Sequence, residues 1–282
     1  MSKNQQYGTY RPPKSPNRRP LTRPDSEKLY QTACEWPDRE GELAVRTLLD
    51  YGLRIDELAH LREGWIGSEY KRDQDREVWY IQVPKFEECY GGRKDAERRN
   101  KTGVNLHQTD SECTRCRSRG WKKKVKPKVN GERRPDLGWL TEKDAKKYPF
   151  HPKTARSATK VWELPNVPET QETAQKLKEF VAAQKHEQWP HGYSSIRTSL
   201  DNIIDAADLD LPGRPTEAGV VPHALRHTYG CRLVEARVGE GIGMKQMRHQ
   251  NSDVFEWYAD VRNVRVVNAL DKATSEADSL LK

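Results

Sequence analysis

Three short segments, far apart in this chain, carry residues whose chemistry makes sense only if a fold brings them together. Gly52-Leu53-Arg54-Ile55-Asp56-Glu57 puts an arginine three residues before a carboxylate. His223-Ala-Leu-Arg226-His227-Thr228 puts a histidine three before an arginine, and Met247-Arg248-His249 is followed nine positions later by Tyr258. Two arginines, two histidines and a late tyrosine are the set needed to hold a phosphodiester and attack it with a phenol. A phosphodiester in transfer gathers negative charge on its non-bridging oxygens, where bidentate donors that stay protonated are the effective aid. Histidine exchanges protons near neutral pH. A phenol with a pKa of about 10 is a poor nucleophile until cations favour the phenolate.

Charge points to the same kind of partner, though weakly. The 282 residues hold 50 basic and 42 acidic side chains, net +8, and cationic surfaces gain by releasing counterions from a polyanion such as DNA. Hydrophobic residues make up 34%, enough for a core. No apolar run approaches the ~18 residues of a membrane helix, and Met1-Ser2-Lys3-Asn4-Gln5 lacks a signal core. Five cysteines form no secreted disulfide framework, so a soluble, cytoplasmic protein is expected.

Residues 1–25 carry Arg11, Lys14, Arg18, Arg19 and Arg23 among five prolines and read as a basic disordered arm. Residues 26–282 read as one domain. Helices are expected from Asp25 or Ser26 to Glu35, over Arg39–Tyr51 with Leu43, Val45, Leu48 and Leu49 on its apolar face, and over Ile55–Leu61. Strands are expected over Glu77–Val83, stopped by Pro84, and over Ala158–Leu164. Between them lies a polar insertion at about 85–148, longer than an ordinary loop. Further helices are expected over Glu169–Lys185, Ser194–Ala207, His223–Arg237, Met244–Arg248, Asp253–Tyr258 and Val264–Leu281, with Gly239-Glu-Gly241-Ile-Gly243 as a turn. The fold class is mainly α with a small antiparallel β-sheet (α+β).

Taken in order over roughly Ser26 to the C-terminus, the motifs resemble those of the tyrosine recombinase, or phage integrase, family. The resemblance implies that family's catalytic-domain fold and gives each residue a role. Arg54 and Arg226 would clamp the scissile phosphate, Glu57 would orient the active-site arginine and histidine, and His223 would exchange a proton with the attacking phenol. His249 would donate to a non-bridging oxygen, and Tyr258 would be the nucleophile. A lysine protonating the leaving 5′ oxygen is expected on a hairpin; Lys153 in Pro152-Lys153-Thr154 is preferred and Lys85 is the alternative. The implied reaction is metal-free, needs no nucleotide cofactor, and runs through a 3′-phosphotyrosyl link on double-stranded DNA. A homotetramer would act on two duplexes, with Val264–Leu281 docking on a neighbouring protomer or on its own domain. The alternative is a catalytically silent DNA-binding regulator on the same fold.

The chain also departs from the family. Arg248 stands where the family usually has glycine, so the turn there lacks the residue freest to adopt a left-handed backbone. The insertion lies outside the common pattern, and fewer than forty residues precede the first catalytic-domain helices. An arm, the insertion or an accessory DNA-binding protein would then replace the family's core-binding domain. Other residues have plainer readings. His227 is expected to make a buried structural hydrogen bond, Tyr229 to be core, and Cys34 and Cys231 to be small buried residues. Within the insertion, Cys113-Thr-Arg-Cys116 with Cys89 and His107 offers four donors of the kind zinc takes, against the plainer reading of solvated polar loop.

Overall fold

The computed structural model describes residues 19–85, 87, 89, 116, 128–129, 132–133, 150, 158–164, 167–209, 222–248 and 258. Helix α1 (Arg23–Cys34) starts where the Thr22 hydroxyl accepts from the amide of Asp25, and Leu29 and Ala33 form its buried stripe. Leu21, just before it, is buried and its amide donates to the Thr228 hydroxyl over 2.8 Å. The Asp38 carboxylate then accepts from the amides of Glu40 and Gly41 and starts α2 (Arg39–Asp50). A side-chain oxygen there satisfies amides that a helix leaves unpaired.

Helix α2 is the axis of the domain. Every residue from Glu40 to Asp50 is buried, because it packs on α1, α4 (Pro168–Ala182), α5 (Tyr193–Ala206) and α6 (Pro222–Glu235). A helix buried all round must pair its charges internally. Arg46 accordingly meets Glu42 at 2.9 Å and Glu172 at 2.8 Å, and donates to the Thr173 hydroxyl at 2.9 Å. Gly41 lets α5 approach: a Cβ there would stand 2.9 Å from the Ile203 side chain.

After the short α3 (Ile55–Leu58) the chain forms a three-stranded antiparallel sheet. Strand β1 (Ile66–Lys71) pairs with β2 (Arg76–Gln82), Ile66 facing Ile81, and β2 pairs with β5 (Lys160–Trp162), Tyr80 facing Trp162. The mainly α fold with a small antiparallel sheet is the class read from the sequence. The insertion leaves after β2 and returns to β5, and holds a two-stranded ladder of β3 (Lys128–Val129) and β4 (Glu132–Arg133). At its base Glu87 and Phe150 exchange backbone hydrogen bonds of 3.1 Å.

Several expectations need correction. Strand β1 was not read from the sequence, and the helix expected to end at Leu61 stops at Leu58. The glycine segment read as a turn is mostly helix: α7 (Glu240–Met247) runs through Gly241 and Gly243. Cys34, expected to be buried, is exposed at the end of α1, whereas Cys231 is buried. The helices expected at Asp253–Tyr258 and Val264–Leu281 lie outside the described residues except for Tyr258 itself, as do residues 1–18 of the arm and most of the insertion. No helix among the described residues is long and apolar enough to cross a membrane.

Candidate active site

Gly52 organises the site. Its φ of +53° is one that side chains rarely adopt, and a Cβ would stand 2.2 Å from the Tyr229 ring. Glycine is therefore required both by conformation and by contact. The turn presents the Gly52 carbonyl to two arginines: Arg226 Nη1 and Arg248 Nη2 both donate to it, the latter over 2.8 Å. The next two residues lead into α3, with Arg54 as its N-cap.

Glu57 is the common partner. Its carboxylate accepts from the Arg54 amide at 2.7 Å, pairs with Arg54 Nη1 at 2.8 Å and pairs with Arg248 Nη2 at 2.8 Å. Burial by itself would raise the Glu57 pKa, but Arg248, Arg54 and Arg226 outweigh it and hold the carboxyl below its ordinary value. Arg226 is buried on α6 and also donates to the Met247 carbonyl. Its pKa is pushed well down, first by burial and then by repulsion from Arg54 and Arg248; Glu57 and Tyr258 oppose this. Arg248 is pushed down to about 10 by burial, against the pull of Glu57, with Arg54 adding repulsion. Three guanidinium groups thus crowd one carboxylate. The excess positive charge is what a bound anion would relieve.

Arg248 was read from the sequence as a handicap to its turn. It adopts the left-handed conformation itself, φ 53° and ψ 41°, and its side chain closes back on Glu57 and Gly52. Its Nε and Nη1 are buried with no hydrogen-bond partner among the described residues. Sequence reasoning missed this third guanidinium. The signal was present, since an arginine where the family has glycine adds a donor beside His249.

Tyr258 is fully buried, and its ring lies so close to α6 that a Cβ on Gly230 would stand 2.7 Å from it. Its hydroxyl shares a 2.7 Å hydrogen bond with His227 Nδ1. His227 is half-buried, and its structural hydrogen bond therefore goes to the tyrosine singled out by spacing. His223 is exposed one turn earlier, its ring centroid 6.2 Å from that of His227. Tyr229 is buried against Gly52, as core. The fold therefore brings Arg54, Glu57 and Arg226 together, adds Arg248, and sets Tyr258 within electrostatic reach of Arg226. His249 and Lys153 lie outside the described residues, and Lys85 is exposed just beyond β2.

A second cluster lies beyond α3. Cys89 and Cys116 of the candidate zinc set come together, joined by His60, which that set did not contain. His107 and Cys113 lie outside the described residues.

No family model matches the chain. Among curated proteins, tyrosine recombinase XerS of Streptococcus equi subsp. zooepidemicus strain MGCS10565 is 34% identical over 77 residues, which cover 26% of this chain and 22% of that protein. XerS of Streptococcus equi subsp. equi strain 4047 matches to the same extent. The match thus spans under a quarter of the relatives' own length. Among solved structures, XerH recombinase in a post-cleavage complex with palindromic difH has a TM-score of 0.48 at 12% identity, covering 89% of this chain and 52% of that one. The Tn1549 transposon integrase with circular intermediate DNA has a TM-score of 0.45 at 16% identity, covering 91% of this chain and 68% of that one. Over those 77 residues the chain is similar in sequence to tyrosine recombinases.

Proposed function

We propose that this protein is a site-specific DNA recombinase, of the integrase kind, that cuts and rejoins strands through a covalent 3′-phosphotyrosyl intermediate. The observation that carries the reading is the convergence of Arg54, Arg226 and Arg248 on Glu57 and the Gly52 carbonyl. In this reading Arg54 and Arg226 clamp the scissile phosphate. Glu57 keeps Arg54 in place, and the unpartnered donors of Arg248 add to the field. The Tyr258 oxygen attacks phosphorus as its proton passes to a nearby base, forming the P–O(Tyr) bond while the P–O5′ bond breaks. The leaving 5′ oxygen takes a proton, with Lys153 or Lys85 as donor, and His223 and His249 serve proton exchange and phosphate contact. A 5′ hydroxyl of a partner strand reverses the step, so the ester conserves the bond and no nucleotide cofactor is needed. The reaction is of the type IB topoisomerase kind, run by side chains.

The partner in this reading is double-stranded DNA, held by a homotetramer when two duplexes exchange strands. The burial of Tyr258 means that attack requires its ring to leave its seat on α6. That same burial favours the second reading, a DNA-binding regulator that does not cut. One experiment separates them: incubation with labelled nicked suicide DNA, followed by denaturation and protease treatment. The expected result is a protease-sensitive adduct on the 3′ phosphate. Tyr258→Phe is expected to abolish it while duplex binding stays nearly unchanged, and Arg226→Ala to slow it by roughly 10²-fold or more. An adduct that persists in Tyr258→Phe removes that residue as nucleophile, and duplex binding without any adduct selects the regulator.

A further inference from the structure

The insertion is joined to the body of the protein by three side chains that together have the chemistry of a metal site. His60, Cys89 and Cys116 are all buried, and their Nε2 and Sγ atoms lie within 4.8 Å of one another. Cys116 Sγ stands 3.1 Å from His60 Nε2. The other imidazole nitrogen, Nδ1, is 2.6 Å from the Asp56 carbonyl. A carbonyl can only accept, so Nδ1 carries the proton and Nε2 turns its lone pair towards the sulfurs. This is how the imidazole of a metal-bound histidine is oriented and its tautomer fixed. Phe150 stacks on the His60 ring at 4.6 Å and Trp65 lies 5.3 Å from Phe150, walling the cluster with apolar surface.

We propose that His60, Cys89 and Cys116 bind a zinc ion. Two thiolates and an imidazole are soft and borderline donors that select zinc over magnesium or calcium. Zinc–sulfur bonds of about 2.3 Å and zinc–nitrogen bonds of about 2.0 Å, at a tetrahedral angle, put nitrogen and sulfur about 3.5 Å apart. The pair at 3.1 Å needs to open by only a few tenths of an ångström. Plain burial of two thiols explains the cysteines, but it does not explain a histidine held by its far nitrogen to face them. The fourth coordination position is left to a further donor or water, and the test does not depend on which.

The site would act as a staple. His60 lies two residues past the end of α3, and its amide donates to the Glu57 carbonyl over 3.1 Å. The ion thereby ties the insertion to the helix whose carboxylate holds Arg54 and Arg248. A segment of such polar sequence gains order from metal binding. The inference rests on the cluster alone and stands whether or not the protein cuts DNA.

The test uses the full chain, purified without chelator and under reducing conditions. Elemental mass spectrometry is expected to find about one zinc per chain, and replacement by cobalt to give the charge-transfer absorption of thiolate–cobalt bonds. Chelation is expected to lower the thermal midpoint, and zinc, but not magnesium, to restore it. Cys89→Ser, Cys116→Ser and His60→Gln should each lose zinc and weaken or shift the cobalt band, whereas Cys34→Ser, at an exposed position, should keep both. The wild-type stoichiometry and cobalt spectrum carry the decision. Substoichiometric zinc that added zinc does not raise, a cobalt spectrum without thiolate absorption, or full zinc retention by His60→Gln would each overturn the proposal.

Discussion

Arg248 shows how one side chain can decide a turn. It takes a left-handed backbone, which costs an ordinary residue roughly 1–2 kcal/mol, and is compensated by its pair with Glu57 and its bond to the Gly52 carbonyl. Arg248→Ala is expected to lower stability by about 3 kcal/mol, as loss of one member of a buried pair does. Arg248→Gly should cost about 1 kcal/mol less, because glycine adopts the same backbone freely. Denaturant melts of the two variants check this, and equal midpoints would show that the backbone carries no such cost. Glu57 gives a pH test. Its folded pKa lies below the ordinary 4.5, so the folded state favours the ionised form. The resulting stabilisation is complete above about pH 4.5 and is lost as pH falls through the depressed value. The thermal midpoint of the wild type should fall through that window more steeply than that of Glu57→Gln; parallel curves would mean that Glu57 contributes no such term.

Helix α6 carries Arg226, His227 and Gly230, so one element presents the proposed clamp residue, the hydrogen-bond partner of the phenol and the flat surface on which the phenol rests. Gly230→Ala would push a methyl group to 2.7 Å from the Tyr258 ring, closer than carbon atoms pack. The expected result is a loss of roughly 1–3 kcal/mol from overpacking together with faster chemical nitration of Tyr258 as its ring is displaced. Unchanged nitration, read by peptide mass mapping, would mean that the ring does not rest there. The elements differ in how far sequence reveals them. Helix α2 was legible because its apolar positions recur at helical spacing. Strand β1 was not, because Ile66-Gly-Ser-Glu-Tyr-Lys is an edge strand with few apolar side chains and one ladder partner, so its alternation is weak. The first half of helix α7 was hidden by two glycines, which disfavour helix locally but are overridden by packing against α6 and β5.

At the scale of the whole molecule, the net charge of +8 and the guanidinium cluster belong to the same prediction. Duplex binding should weaken steeply with salt, and Arg54→Ala should reduce the slope of log affinity against log salt by about 0.9, the share of one phosphate contact on B-DNA. An unchanged slope would place Arg54 away from the backbone of the duplex.

By itself the chain determined the chemistry available: which residue types could hold an anion, which phenol the family spacing singles out, and which periodic segments form helices. Those properties are local, set by side-chain type and by spacing along the backbone. Only the tertiary structure decided who meets whom. It put Arg248 on Glu57, His227 on Tyr258 and His60 on Cys116, pairs separated by tens to hundreds of residues. Such contacts depend on the direction in which each helix leaves its turn, and that direction is set by packing on α2, a sum over many side chains that no single motif records.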